Sequence, residues 1–127
     1  MPLLATLSGG NRNDVTQLLP LIDGVGRVAG KRGRPRQRPD RLVADRGYDH
    51  DKYRRELWRR GVKPVIARRS TEHGSGLGRW RWVIERTFSW LHNFRRLRIR
   101  WDRDPDIHIA LLTLGCAIVC WRYLTQL

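Results

Sequence analysis

The chain has 127 residues, with 26 Lys and Arg against 12 Asp and Glu, for a formal net charge of +14. That length suits one domain or part of one. The 30% charged and 40% hydrophobic content excludes wholesale disorder, and two cysteines exclude a disulfide-rich secreted scaffold. The cationic excess calls for a polyanion, of which nucleic acid is the commonest, and since only Lys31, Lys52 and Lys63 are lysines the contact it favours is the planar arginine fork on phosphate.

Residues 2–7 form a short apolar run compatible with a strand, and Ser8, Gly9, Gly10 and Asn11 carry turn chemistry. Asn13 or Asp14 can cap a helix whose Val15, Leu18, Leu19 and Ile22 recur at three and four, with Gly24 and Gly26 to end it. Residues 27–41 hold Arg27, Lys31, Arg32, Arg34, Arg36, Arg38 and Arg41 among Pro35 and Pro39. Like-charge repulsion and proline oppose a regular element there, so the basic Pro/Arg loop, about residues 27–40, is expected to be solvated or to face DNA. Residues 41–44 read as a short buried strand ending on Asp45, with Gly47 supplying a tight turn. Asp49 or Asp51 caps a helix to about residue 60 with Tyr53, Leu57 and Trp58 on one side, and Gly61 stops it. Residues 63–67 are a second strand, placed at an edge by Pro64. Strand, helix and strand in so short a span predict a βαβ unit with parallel pairing.

Residues 74–78 are a Gly/Ser loop. From residue 79 to about 99 the helical period returns, with Trp80, Val83, Ile84, Phe88, Leu91 and Phe94 as its apolar stripe and Trp80 and Trp90 expected in the core. Asp104 and Pro105 cap and start a last helix over residues 107–124, apolar on every side and therefore expected to be buried. Its greasiest run, residues 107–121, is shorter than the roughly 20 residues of a bilayer span, so no membrane helix is expected, nor is a signal peptide. Cys116 and Cys120 share a face of that helix, most simply as small core residues, with a thiol or metal role as the alternative.

Most carboxylates have structural explanations. Asp14, Asp49, Asp51, Asp104 and Asp106 sit at helix starts, Asp40, Glu72 and Asp102 lie in loops, and Glu56 can pair with Arg60. Two stand apart. Asp45 lies at the carboxyl end of a predicted strand, where α/β sheets place ligand-binding groups, its structural alternative being a turn aspartate before Gly47. Glu85 is the only acid between Glu72 and Asp102, on a helix face with Arg81, His92 and Arg96, its alternative being an exposed ion pair with Arg81. Two such carboxylates can hold hard divalent cations through oxygen, beside arginines that grip the flanking phosphates.

The string Leu42-Val43-Ala44-Asp45-Arg46-Gly47-Tyr48-Asp49, followed by Ile84-Glu85-Arg86-Thr87-Phe88-Ser89-Trp90-Leu91 and Phe94-Arg95-Arg96-Leu97, resembles the C-terminal catalytic half of bacterial insertion-sequence transposases of the DDE superfamily. The segment Ser8-Gly9-Gly10-Asn11-Arg12-Asn13-Asp14 resembles the family's stretch after its first catalytic aspartate. The resemblance covers residues 1–127 as the C-terminal portion of the catalytic domain. It implies an α/β fold: a partial ribonuclease H-like, integrase-like domain with short, mostly parallel strands, packed helices and two C-terminal helices.

By the same resemblance Asp45 and Glu85 are the second and third catalytic acids and the ligands of Mg²⁺ or Mn²⁺. Arg81 and Glu85 match the family signature around the glutamate, whereas Gly78 and His92 replace its tyrosine and lysine. Arg34, Arg36, Arg81, Arg86, His92, Arg95 and Arg96 become the DNA contacts. The implied activity is metal-dependent DNA cleavage and strand transfer. The implied partners are double-stranded DNA, an N-terminal transposase fragment and a second copy of the chain on DNA, in the bacterial cytoplasm at the nucleoid. The family's first aspartate falls upstream of any acid here, so the chain is expected to be inactive alone. The alternative from another class is a non-enzymatic basic nucleic-acid-binding module that regulates transposition, with Asp45 and Glu85 structural.

Overall fold

The short segments around Val43 and Val65, each ending on apolar residues, form the sheet. In a computed structural model, which describes residues 1–30, 32–72 and 78–126, β1 (Arg41–Ala44) and β2 (Lys63–Ile66) pair in parallel with Val43 opposite Val65 and Ala44 opposite Ile66. Parallel strands cannot be joined by a tight turn. The crossover is α2 (Asp51–Arg59), as the βαβ pattern predicts. The Lys63 N–H donates to the Asp40 carbonyl at 3.0 Å and carries the pairing one residue beyond β1.

The chain divides into two compact units, Ser8–Trp80 and Met1–Leu7 with Arg81–Leu127. In the first, Asn13 accepts from the Val15 N–H and starts a 3₁₀ turn, Asp14–Gln17, that runs into α1 (Leu18–Gly24). Leu18 and Ile22 of α1 meet Leu57 of α2, Val62 and Ile66 in the core, with Leu42, Ala44, Tyr48 and Tyr53 packed against them. The end of α2 shows why, among the described residues, Leu57 and Val62 are sealed completely from solvent. Gly61 takes φ +72°, its N–H donates to the Trp58 carbonyl, and the Val62 N–H donates to the Leu57 carbonyl. This is the glycine-terminated cap in which the residue after the glycine packs on the last turn of its own helix. Trp58, one position round from Leu57, is 58% exposed.

The basic loop is less irregular than expected. Val28 and Arg36 exchange two backbone hydrogen bonds of 2.8 and 3.0 Å, an isolated antiparallel bridge that closes the base of the segment between them. The predicted Gly/Ser loop lies mostly outside the described residues.

Outside the sheet and its crossover helix, four expectations are corrected. Residues 2–7 form no strand, because no second strand offers them a ladder among the described residues; instead the Pro2 carbonyl accepts from the Cys120 thiol at 3.3 Å. The helix expected over residues 79–99 is two, α3 (Gly78–His92) and the single turn α4 (Arg95–Arg98), with the break at Asn93 and Phe94. The apolar stripe of α3 is mostly exposed at Trp80, Ile84 and Phe88 and buried at Leu91, so Trp80 is not a core residue. Finally α5 (Pro105–Thr125) starts as predicted, with Asp104 accepting from the Asp106 N–H at 2.9 Å, yet only Gly115 and Val119 are buried along it. Gly115 lets Leu97, Leu91 and Phe94 approach the helix backbone, and a Cβ there would stand 2.7 Å from Leu97 Cδ1. One narrow contact strip cannot cover a helix that is apolar all round. At 21 residues α5 is also long and apolar enough to cross a membrane by length and composition, which the shorter apolar run in the sequence did not suggest.

Removing the Leu57 side chain leaves a cavity beneath the Gly61 cap. Leu57→Ala is expected to lower the unfolding free energy by about 2–5 kcal/mol, read by urea denaturation followed by circular dichroism, whereas the exposed Trp58→Ala should change it by less than about 1 kcal/mol.

Candidate metal and nucleic-acid site

Asp45 follows the last residue of β1 and caps the 3₁₀ turn Arg46–Tyr48, its Oδ1 accepting from the Gly47 N–H at 2.8 Å. It is therefore both a strand-end carboxylate and the turn aspartate of the alternative reading, and it is exposed. Tyr48 lies half-buried at the end of this turn. Burial, with Asp14 and Asp45 adding their charge, raises its hydroxyl pKa above the ordinary value and keeps it protonated.

A set of arginines holds the turn from outside. Arg69 donates from Nε to the Arg46 carbonyl and from Nη2 to the Gly47 carbonyl, both at 3.3 Å, with His50 Nε2 3.1 Å from Nη2. Arg46 reaches back to the Glu72 carbonyl at 3.1 Å. The segment after β2 is thus laced across the loop after β1. Asp49 completes the lacing. Its side chain is 7% exposed, and it accepts from Arg54 Nε at 2.7 Å and from the Arg69 N–H at 2.9 Å, while Arg54 also donates to the Ile66 carbonyl at 2.6 Å. Burial works to raise the Asp49 pKa, but the Arg69 N–H and the Arg54 and Arg68 guanidinium groups outweigh it, and the carboxyl sits below the usual range.

Asp49 or Asp51 is expected as the helix cap; the capping position is His50, which makes no side-chain cap bond, and Asp51 is the first residue of α2. No local pattern marks Asp49, Arg54 and Arg69 as partners, because the contact spans both strands. At the far end of α2, Arg60 forks onto Asp23 at 2.9 and 3.0 Å and meets Glu56 at 2.8 Å, bordering a cleft of about 390 Å³ that Arg38 and Arg59 also line. The Glu56 pair was legible from spacing. The Asp23 pair, joining two helices, was not.

Glu85 lies on α3 in the second unit, so the structure does not bring it together with Asp45 within one unit. Its Oε1 pairs with Arg81 Nε at 2.9 Å, with side chains 63% and 78% exposed. Arg81, Glu85, Phe88 and His92 share the exposed face the helical period predicts. Arg96 does not share it, because α3 ends at His92; Arg96 lies on α4, 3.7 Å from Asp102, and Arg95 beside it is exposed. Arg86 is held differently from the other candidates. Its guanidinium carbon stands 4.6 Å from the Trp82 ring and 4.8 Å from the Trp90 ring, one helical turn away on either side, and its Nε is buried without a hydrogen-bond partner among the described residues. In the first unit Arg34 and Arg36 are exposed, Arg36 pairing with Asp40 at 2.7 Å.

Oxygen donors such as Asp45 and Glu85 suit Mg²⁺ or Mn²⁺, which take carboxylates and water. Both side chains are exposed, and each has one carboxylate oxygen engaged, by Gly47 and by Arg81 respectively. Among the described residues no three His, Cys, Asp or Glu side chains gather into a ligand group.

Residues 1–120 match the family model of the transposase DDE domain, and the chain belongs to that family, the DDE transposases of insertion sequences. A protein of Burkholderia cepacia named as transposase for insertion sequence element IS402 is 62% identical over 125 residues, which cover 98% of this chain and 59% of that relative. The chain thus spans about three fifths of the length of the curated relative it matches. No solved structure matches it.

Asp23, Asp49, Asp51 and Glu56 all have pKa values lowered by arginine partners in the folded state. Their stabilising contribution is complete above the unfolded-state values near about 4 and is lost as pH falls through the lower folded ones. The urea midpoint is therefore expected to fall progressively below about pH 4, and Asp49→Asn should lower the midpoint at neutral pH while flattening that acid fall.

Proposed function

We propose that this chain is the C-terminal portion of a ribonuclease H-like catalytic domain that cuts and joins DNA at the ends of an insertion element, with Asp45 and Glu85 as two of its catalytic carboxylates. The observation that carries this reading is the family match over residues 1–120, within which an acid directly follows β1 of a parallel pair and an Arg–Glu pair occupies one exposed face of α3. Phosphoryl transfer on DNA requires charge to be neutralised around the phosphodiester and the reacting oxygens to be held in line. Mg²⁺ or Mn²⁺ bound by Asp45 and Glu85 would supply Lewis-acid stabilisation there.

The chain's own residues have separable tasks in this reading. Arg69 and Asp49 hold the turn that carries Asp45, and Arg81 orients Glu85 through one of its two oxygens. Arg36, His92, Arg95 and Arg96 meet DNA phosphates, and Arg34 of the basic loop also contacts DNA. Arg86, stacked between two indoles, presents its outer nitrogens at a fixed height above α3. The working molecule is a bacterial cytoplasmic protein at the nucleoid, acting on double-stranded element ends and target with the remainder of the transposase and with a second copy of this chain.

A second reading has a specific observation in its favour: the Gly47 N–H and the Arg81 guanidinium already use one oxygen of each carboxylate. On that reading the chain is a basic nucleic-acid-binding module and both acids are structural. Titration of a labelled duplex with the chain, with and without Mg²⁺, separates the two. On the first reading Mg²⁺ tightens or reorganises binding and Asp45→Asn with Glu85→Gln abolishes that response. Metal-independent affinity that survives the double substitution would favour the module. In either case affinity is expected to fall steeply with salt, and replacing both Arg95 and Arg96 by Ala should reduce the log–log slope by about 2.

A further inference from the structure

Arg32-Gly33-Arg34-Pro35-Arg36 is the stretch of the basic loop with no part in the core, the Asp45 turn or the helix contacts. We propose that this pentapeptide reads the minor groove of A·T-rich duplex DNA, with Arg32 and Arg34 inserted along the groove and Gly33 against its floor. This inference rests on the DNA-binding reading above and adds to it a groove and a base preference.

Four features of the stretch support it. The Val28–Arg36 bridge closes the base of the loop, so the residues before Arg36 leave the unit as a pinned loop and not as a loose tail. All five residues are exposed. Gly33 has φ +100°, and a Cβ built on it meets nothing within 4 Å. The left-handed backbone by itself favours glycine there, and the bare backbone faces open space where a ligand can approach. Arg36 is tied to Asp40 at 2.7 Å beside the bridge, whereas Arg32 and Arg34 form no ion pair among the described residues.

The chemistry of the two grooves then decides. The major groove, about 12 Å wide, admits a helix or a two-stranded ribbon, and residues 32–36 are neither. The minor groove, about 6 Å wide, admits a single strand of backbone provided the residue at its floor is small. Gly33 meets that requirement, and Pro35 restrains the chain beyond it without an N–H that needs a partner. A·T tracts narrow the groove and deepen its negative potential, which draws arginine in. A G·C pair instead places the guanine N2 amino group on the floor, where it obstructs a close backbone. The resulting selectivity is for A·T over G·C and carries little further sequence information.

The test uses the 127-residue chain and fluorescence anisotropy at one salt concentration, with two labelled duplexes of equal length, one carrying an A·T tract and one G·C throughout. The chain is expected to bind the A·T duplex about tenfold more tightly, and netropsin, which fills the minor groove, should displace it. Arg32→Ala and Gly33→Val should each abolish the preference while affinity for the G·C duplex changes by no more than about threefold, since nonspecific binding rests on phosphate contacts distributed over the surface. Equal affinity for the two duplexes, indifference to netropsin, or an unchanged preference in both variants overturns the proposal while leaving the DNA-binding reading intact. Binding to neither duplex overturns both.

Discussion

The carboxylate of Asp49 is the point on which the first unit turns. Two four-residue parallel strands bring few backbone hydrogen bonds and need a helix to connect them, so the pair is only as well defined as its ends. Asp49 joins those ends. It takes the Arg54 guanidinium from α2 and the Arg69 N–H from the segment after β2, and Arg54 in turn holds the last carbonyl of β2. A buried carboxylate pays for its desolvation only when partners surround it, and here three arginines contribute. The Asp45 turn lies directly upstream, so the same lacing that closes the sheet also fixes the approach to the strand-end acid.

The +14 charge divides into two populations. Arg46, Arg54, Arg60 and Arg69 bind carbonyls and carboxylates within the first unit and hold it together. Arg32, Arg34 and Arg95 are exposed and remain available to a polyanion. Composition cannot separate these roles, since both use the same fork of donors on oxygen. The distinction matters for function: replacing a member of the first set disturbs the fold that presents Asp45, whereas replacing a member of the second changes what the folded chain can hold.

The helical unit is organised by apolar contact on a narrow strip. Leu91, Phe94 and Leu97 close on Gly115, and Val119 extends the strip along α5. Trp80, Ile84, Phe88, Leu114 and Trp121 lie outside it and are exposed. On α3 this leaves one face carrying Arg81, Glu85 and His92 and a neighbouring ridge in which Arg86 bridges Trp82 and Trp90. The stack gives the ridge rigidity that a charged side chain on a bare helix lacks, because the guanidinium plane is held from both sides.

Local chemistry made much of this readable in advance. Asn13 before an apolar three-four pattern, the strand of residues 41–44, the crossover helix, the stop at Gly61 and the Asp104–Pro105 start all depend on contacts within a few residues, and each is present. The family strings around Asp45 and Glu85 were legible for the same reason, being continuous in sequence. Tertiary structure alone decided the rest. A run such as residues 2–7 is a strand only when another strand lies beside it, and an apolar helix such as α5 is buried only when other elements supply enough surface to cover it. The pairing of Asp49 with Arg54 and Arg69, and of Asp23 with Arg60, joins segments that no periodicity relates, because a salt bridge between elements depends on where the chain returns in space and not on the order of its residues.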